Sequence, residues 1–288
     1  MKIHLAHHYG LCFGVRDAIT AAEEAAASGP LTVLGALVHN PVVTQRLADL
    51  GVQSANLSDT GSATTDRVLI TAHGASQGDK ARWRATVGEV IDTTCPLVTN
   101  AHEKLARLVR EGCFPVVIGQ PRHVEVRGLI GDYPEGVVVE NEHDVHQIPK
   151  RCRYGVVAQT TQPIEKVQAI VEAIRTKFFA AEVRFIDTVC RPTRQRQVAL
   201  EALCRQCDHV VVIGGRTSNN TGQLASKAHE LGVRVTRIEH ANELHEASFQ
   251  NCRHVGVTAG TSTLEATVQE VVRRLREMAN RLSEEGAQ

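Results

Sequence analysis

Short apolar segments alternate with helical segments along the whole chain. Nine apolar runs have the length and β-branched content of buried strands, from LTVLGAL at residues 31–37 to RHVGVTAG at residues 253–260. Between them, segments such as QPIEKVQAIVEAIRTKFF at residues 162–179 repeat apolar residues at helical spacing. Strands that alternate with crossover helices form parallel sheets, so the pattern predicts an α/β fold. Functional loops are then expected at the carboxyl ends of the strands.

One kind of strand-to-helix corner carries a cysteine three times. The segments IDTTC at residues 91–95 and IDTVC at residues 186–190 share Ile-Asp-Thr-X-Cys at a strand end, and a helical pattern follows each. Cys12 likewise stands at the start of a helical pattern, in the segment IHLAHHYGLCFGVRDAITAAEEA. At Cys95 the strand-like GEVIDTT precedes a helix with Pro96 in its first turn. A helix N-terminus favours the thiolate, which is the form that attacks carbon or binds metal.

The cysteine corners are roughly 80–95 residues apart, as expected for three successive α/β units that each present one ligand to a shared centre. Such a centre is either a zinc site with an open position or an iron–sulfur cluster in which one iron lacks a protein ligand. Three buried cysteines without a metal are the third possibility. Spacing does not separate these alternatives, because the ligands come from distant corners.

A second set of corners carries histidine or small polar residues. His39, His73 and His123 each follow an apolar run, and three histidines at matching corners indicate function more strongly than one alone. The segments GGRTSNNTG and TAGTST place Ser218, Asn220 and Ser262 in similar corners. Such corners suit a phosphate group, although each taken singly is as readily an ordinary helix cap.

Composition limits the classes of function. The 288 residues suit about two domains on length alone, and 32 acidic residues balance 32 basic ones, so no net charge attracts nucleic acid or an anionic membrane. The chain has neither a signal-like start nor the ~18 consecutive apolar residues of a membrane span, which predicts a cytoplasmic protein. Eight scattered cysteines are typical of free thiols or metal ligands. The CRQC pair, Cys204 and Cys207, lies in a helical pattern and is interpreted as structural.

The corners resemble those of the LytB family, the 4-hydroxy-3-methylbut-2-enyl diphosphate reductases of the non-mevalonate isoprenoid pathway. The resemblance runs in order along nearly the whole chain, and its specificity lies in that order and spacing. It is carried by GLCFGVRDAI, LVHNPVV, TAHGAS, DTTCPLVT, RHVEVRG, AQTTQ, DTVCRPT, SNNTGQL and VTAGTS.

The resemblance implies a site and an architecture. Cys12, Cys95 and Cys190 would hold a [4Fe–4S] cluster with one open iron, Glu125 would supply protons, and Thr160 would contact the hydroxyl end of the substrate. The diphosphate would be bound by His39, His73, His123, Ser218, Asn219, Asn220 and Ser262. The implied fold is a trefoil of three similar α/β domains around the central cluster. Their ranges would be 13–94, 95–188, and 1–12 with 189–282, followed by a loose tail at 283–288.

The chain departs from the family pattern at several positions. Val124 stands where the family usually has proline, Asn219 replaces a serine, and His7, His8 and Arg191 lie beside the expected cluster ligands. Two alternative functions therefore remain: a LytB-like paralogue acting on another small anion, and a non-catalytic cluster-based redox sensor. For Glu125 we expect a strand-like setting, with a salt bridge to Arg122 or Arg127 as the alternative role. The reductase function implies an external one-electron carrier, ferredoxin or flavodoxin, since no nicotinamide or flavin fingerprint is present.

Overall fold

The computed structural model describes residues 1–285, and side chains through Arg281. The strands are β1 Lys2–Leu5, β2 Thr32–Leu34, β3 Gln53–Ala55, β4 Arg67–Ile70, β5 Glu89–Asp92, β6 Phe114–Ile118, β7 Val137–Val139, β8 Arg153–Ala158, β9 Glu182–Phe185, β10 His209–Ile213, β11 Arg234–Ile238 and β12 His254–Ala259. The α-helices are α1 Phe13–Ala27, α2 Pro41–Asp49, α3 Gln77–Thr86, α4 Pro96–Arg110, α5 Val124–Ile130, α6 Ile164–Lys177, α7 Arg191–Cys204, α8 Asn219–Glu230 and α9 Glu265–Glu285. All nine predicted apolar runs contain a strand, which confirms the alternating pattern.

The strands form three four-stranded parallel sheets. Their strand orders are β3-β2-β4-β5, β7-β6-β8-β9 and β11-β10-β12-β1. Every pairing within them is parallel, as strands joined by crossover helices require. The predicted α/β fold class with three parallel sheets is confirmed.

All three sheets have the same internal order. The first strand lies between the second and the third, and the fourth strand lies at the edge beside the third. In the sheet formed by the last part of the chain, β1 takes the fourth position. The connections that leave the first and third strands diverge to opposite sides, so the carboxyl ends of these two strands flank a topological switch point, the usual place for a ligand.

Candidate residues recur at equivalent places in this order. A cysteine follows the fourth strand of each sheet, namely Cys95, Cys190 and Cys12. The corners after the first and third strands carry the polar candidates, which are His39 and His73, His123 and Thr160, and Ser218 and Ser262. The internal repeat seen in the sequence is therefore a repeat of sheet position.

Apolar packing covers the sheets on both faces. Around β10 and β12, one hydrophobic cluster includes Leu275 of α9, and another includes Leu200 of α7 and Leu224 of α8. The middle sheet packs in the same way between two clusters. Central strands buried on both faces explain why the sequence shows continuous apolar runs rather than alternation.

The described chain divides into two compact units. The first comprises residues 1–15, 38–44 and the chain from Arg191 onward, and the second comprises residues 16–37 and 45–190. The three-domain boundaries given above stay a prediction. Helix α9 continues to Glu285, so residues 283–285 of the expected tail are helical, and residues 286–288 lie outside the described residues.

Three elements were not predicted. Helix α3 and the short strand β3 were missed, and the strand-like interpretation of the segment around Glu125 is wrong, because residues 124–130 form helix α5. The alternation Val-Glu-Val suggested a strand. The side chain of His123 instead accepts a hydrogen bond from the Glu125 N–H and caps the helix, so local capping determines the conformation.

Candidate active site

Each of the three candidate cysteines is the residue immediately before a helix. Cys12 precedes α1, Cys95 precedes α4 with Pro96 in its first turn, and Cys190 precedes α7. All three are partly exposed. This position confirms the predicted corner at Cys95 and places all three thiols at the N-terminus of a helix.

The other cysteines have different environments. Cys113, Cys207 and Cys252 are buried, and burial raises the pKa of the Cys207 thiol to about 11. Cys204 is the last residue of α7 and packs against the same hydrophobic cluster as Cys207. The CRQC pair is therefore part of the core, as interpreted from the sequence.

The first unit joins the Cys12 corner to the loop after β12. The N–H of Cys12 donates to the carbonyl of Thr261 over 3.2 Å, and the N–H of Thr261 donates to the side-chain oxygen of Asn220 over 3.0 Å. Asn40, beside His39, donates from its side chain to the carbonyl of Ser262 over 2.8 Å. These bonds hold Cys12, Asn220, Ser262 and the His39 segment together.

Two of the buried polar atoms in this unit that have no hydrogen-bond partner among the described residues belong to predicted site residues. They are the hydroxyl oxygen of Ser262 and the side-chain nitrogen of Asn219. An unsatisfied buried polar group is costly, so such atoms indicate a place where a ligand supplies the missing partner. Ser218 caps α8, its hydroxyl accepting from the Thr221 N–H.

His39 lies in a closely packed part of the same unit. Its Nδ1 is 3.1 Å from the hydroxyl of Thr217, and burial lowers the pKa of its ring, which keeps the imidazole neutral. A Cβ at Gly215 would lie 2.1 Å from the carbonyl oxygen of His39, so only glycine allows this approach of two backbones. His39 therefore acts as a fixed, uncharged hydrogen-bonding group.

The second unit places His73 and His123 together near the Cys95 corner. The N–H of Cys95 donates to the carbonyl of Ala72 over 3.0 Å, next to His73. The His73 ring has its Nδ1 3.2 Å from the Thr71 hydroxyl, and its centroid lies 5.4 Å from that of His123 in an edge-to-face arrangement. The two predicted histidines of this unit are thus neighbours.

A chain of hydrogen bonds continues from His123 to the Cys190 corner. Glu125, in the first turn of α5, accepts from the N–H of Thr160 over 2.6 Å and from its hydroxyl over 3.0 Å. The carbonyl of Thr160 in turn accepts from the N–H of Cys190 over 2.9 Å. Glu125 and Thr160, 35 residues apart in sequence, are in direct contact.

Burial determines the protonation of Glu125. The side chain is 2% exposed, and desolvation raises the pKa of its carboxyl to about 7 although both Thr160 bonds favour the charged form. Among the described residues the Glu125 carboxylate is bonded to Thr160 and not to Arg122 or Arg127, and Arg127 donates to the hydroxyl of Ser58 instead. Glu125 therefore holds an exchangeable proton near neutral pH.

The predicted residues fall into two sets of six. The first unit holds Cys12, His39, Ser218, Asn219, Asn220 and Ser262, and the second holds His73, Cys95, His123, Glu125, Thr160 and Cys190. Sequence reasoning missed Thr71, Thr217 and Asn40, which contact or adjoin the histidine segments. Their only sequence signal is position, because Thr71 and Asn40 adjoin histidine corners and Thr217 directly precedes Ser218. Among residues 1–285 no three His, Cys, Asp or Glu side chains form a single-ion metal site, and none of the described helices is long and apolar enough to cross a membrane.

Three parallel sheets that each end in a cysteine corner, with a buried acid in the unit that holds two of those corners, are the features of an α/β enzyme. A family profile described as LytB protein matches residues 3–276. This chain belongs to the LytB family.

Relatives of the chain match over nearly its full length. The 4-hydroxy-3-methylbut-2-enyl diphosphate reductase of Geobacter sulfurreducens is 39% identical over 98% of this chain and 99% of its own, and that of Aquifex aeolicus is 36% identical over 96% and 97%. The solved structure of the E-1-hydroxy-2-methyl-but-2-enyl-4-diphosphate reductase from Plasmodium falciparum has a TM-score of 0.87 at 27% identity, covering 94% of this chain and 86% of that one. A structure of (E)-4-hydroxy-3-methyl-but-2-enyl diphosphate reductase, the terminal enzyme of the non-mevalonate pathway, has a TM-score of 0.69 at 35% identity, covering 96% and 100%.

Proposed function

We propose that this chain is an iron–sulfur oxidoreductase that removes the hydroxyl of (E)-4-hydroxy-3-methylbut-2-enyl diphosphate and forms isopentenyl and dimethylallyl diphosphates. Family membership and full-length similarity to reductases of this name support the reaction. The observation that carries the assignment is the buried Glu125, with its pKa raised to about 7, bonded to Thr160 beside the Cys190 corner. A reductive dehydroxylation needs such an acid, because hydroxide is a poor leaving group.

Cys12, Cys95 and Cys190 would hold the [4Fe–4S] cluster. Their donor set fits the group, since each is a partly exposed thiol at a helix N-terminus and cysteine thiolates are the usual ligands of such clusters. Three cysteines leave one iron without a protein ligand. When bound, the cluster would supply electrons singly and a Lewis-acidic iron for the hydroxyl oxygen.

The diphosphate would be bound by uncharged donors. Ser262 and Asn219 contribute the unsatisfied hydroxyl and amide, and Asn220 can donate from its amide because its oxygen already accepts from the Thr261 N–H. His123 accepts at Nδ1 from the Glu125 N–H, so a neutral ring carries its proton on Nε2. His39, His73 and Ser218 would complete the pocket. Neutral donors of this kind would allow a chain without net charge to bind a strongly anionic substrate.

Glu125 would protonate the departing hydroxyl, directly or through the hydroxyl of Thr160. The reaction consumes two electrons and two protons: the C–O bond breaks, water leaves, and a proton adds to either end of the resulting allyl group. Binding of the diphosphate would position the hydroxyl for this transfer. The electrons would come from ferredoxin or flavodoxin, and the eight scattered cysteines agree with a cytoplasmic location.

Turnover of the substrate tests this function. Anaerobic protein supplied with a chemical reductant should convert the hydroxymethylbutenyl diphosphate into both products, and Glu125→Gln should lower turnover by ~10²-fold while the substrate still binds. A LytB-like paralogue would bind diphosphate but leave this substrate unchanged, and a redox sensor would show a cluster that changes redox state without turnover. Near-wild-type turnover by Glu125→Gln would end its assignment as proton donor.

A further inference from the structure

An ion pair between a buried lysine and an exposed aspartate lies at the carboxyl end of β5, outside the residues assigned above. Lys80, from the first turn of α3, is 8% exposed, and its ammonium group lies 2.8 Å from a carboxylate oxygen of Asp92. The same ammonium is 3.3 Å from the hydroxyl of Thr94. Lysine is rarely buried to this extent unless it is paired, so the position serves a specific arrangement.

Asp92 connects this lysine to the residue before Cys95. Its second carboxylate oxygen accepts from the Thr94 N–H over 3.0 Å and also from the Thr94 hydroxyl. An aspartate that bonds the N–H two residues on closes a tight local turn. Lys80, Asp92 and Thr94 therefore form one network that fixes the backbone from which Cys95 projects.

The other Ile-Asp-Thr-X-Cys corner repeats part of this arrangement. Asp187 accepts from the N–H of Val189 over 3.0 Å, and Val189 immediately precedes Cys190. The aspartate shared by the two motifs thus has the same structural role in both corners, to set the turn that leads into the cysteine. At the first corner, Lys80 orients that carboxylate.

We propose that Lys80 and Asp92 are positioning residues for Cys95 in cluster binding. The inference rests on the proposed function, because it assumes that Cys95 is a cluster ligand. Groups behind a metal ligand orient it and retain the metal, and their removal typically costs 10–100-fold in metal affinity. Loss of the network should therefore release iron faster without removing any ligand.

Strand β5 offers a matched control at its other end. Arg67 of β4 forms an ion pair with Glu89 of β5 over 2.6 Å. In the register of these two strands Arg67 lies opposite Glu89 at one end, and Ile70 lies opposite Asp92 at the carboxyl end. Arg67→Met and Glu89→Gln remove an ion pair from the same two strands, away from the cysteine corner. Glu89→Gln removes the ion pair, whereas Arg67→Met also removes the hydrogen bond from Arg67 to the Ala25 carbonyl. Both show what such losses away from the cysteine corner do to stability.

The experiment measures iron release to a chelator from anaerobic, cluster-loaded protein. Lys80→Met and Asp92→Asn should release iron at least about tenfold faster than wild type, and the reduced cluster should change its electron paramagnetic resonance spectrum. Arg67→Met and Glu89→Gln should release iron at a rate within about twofold of wild type, even where they lower the melting temperature as much as Lys80→Met and Asp92→Asn do. If Lys80→Met does not fold, Asp92→Asn decides, because it keeps the volume of the side chain.

Release rates and spectra of both variants equal to those of their controls would overturn the positioning role while leaving the proposed function intact. A wild-type chain that takes up no iron would refute the proposed function, and this inference with it. Fast release confined to Lys80→Met and Asp92→Asn, with turnover present in wild type, supports both.

Discussion

At the scale of single residues, the site depends on polar groups whose burial changes their chemistry. Glu125 has lost contact with solvent but keeps two hydrogen bonds from Thr160, and the desolvation is the larger effect on its pKa. His39 stays neutral for the same reason. Burial thus raises the pKa of the proposed acid to about 7 and lowers the pKa of a histidine that we propose as a neutral donor to the diphosphate.

The raised pKa of Glu125 makes folding stability depend on pH in a specific direction. Between about pH 4.5 and pH 7 the native state holds a proton that the unfolded chain has lost, so the free energy of unfolding falls as pH rises through this window. Relative to Glu125→Gln, the free energy of unfolding of wild type should fall by about 3 kcal/mol between pH 4.5 and pH 8. Urea denaturation of both proteins across this range measures it. If the difference in free energy of unfolding between the two proteins stays constant with pH, the Glu125 carboxyl does not titrate in this range.

Ser262 provides a second test at this scale. Ser262→Ala removes a buried hydroxyl without a described partner, so we expect the free energy of unfolding to stay the same or rise. Affinity for the diphosphate substrate should fall by about 1–3 kcal/mol, because a phosphate oxygen loses its donor. Calorimetric titration checks this, with the exposed Ser54→Ala as control. Unchanged affinity in Ser262→Ala would remove Ser262 from the pocket.

At the scale of elements, strand-to-helix corners hold the predicted site residues, and only some of these corners can be recognised from the sequence. Cys95 could be placed at a helix start from the sequence because an apolar run, Pro96 and a helical repeat adjoin it. Helix α5 could not be predicted from the sequence, since seven residues are too few for a helical repeat and its cap is a histidine. The contact between Glu125 and Thr160 joins two strand ends 35 residues apart, which no local pattern encodes.

The first turn of α5 allows a test of this element. Val124 is the first helical residue, and His123 has the extended backbone that a following proline requires, with ψ of 137°. Val124→Pro, which restores the usual family residue, should leave stability unchanged or raise it by about 0.4–1 kcal/mol, because proline fits the first helical position and restricts the unfolded chain. Val124→Ala is the control for the lost side chain. Thermal denaturation measures both variants. A melting temperature of Val124→Pro below that of Val124→Ala would contradict this account of the cap.

At the scale of the whole molecule, one sheet plan is used three times, and each use ends in a cysteine. The sequence revealed the repeat through two Ile-Asp-Thr-X-Cys corners, whereas the equivalence of Cys12 depends on β1 taking the fourth position in the sheet of β10, β11 and β12. That pairing joins the two ends of the chain, so local periodicity could not predict it. The repeated plan explains why the candidate ligands are so far apart in sequence.

The central claim is that the three repeated cysteine corners bind one cluster, and metal and sulfide analysis of anaerobically prepared protein tests it most directly. Wild type should contain about four irons and four sulfides per chain, and serine at any one of Cys12, Cys95 and Cys190 should abolish the brown chromophore. Cys204→Ser should retain the chromophore, because that residue is at the end of α7 and packs against a hydrophobic cluster. A colourless, zinc-loaded wild type that reduces the substrate, or a full cluster in any of the three serine variants, would contradict the account.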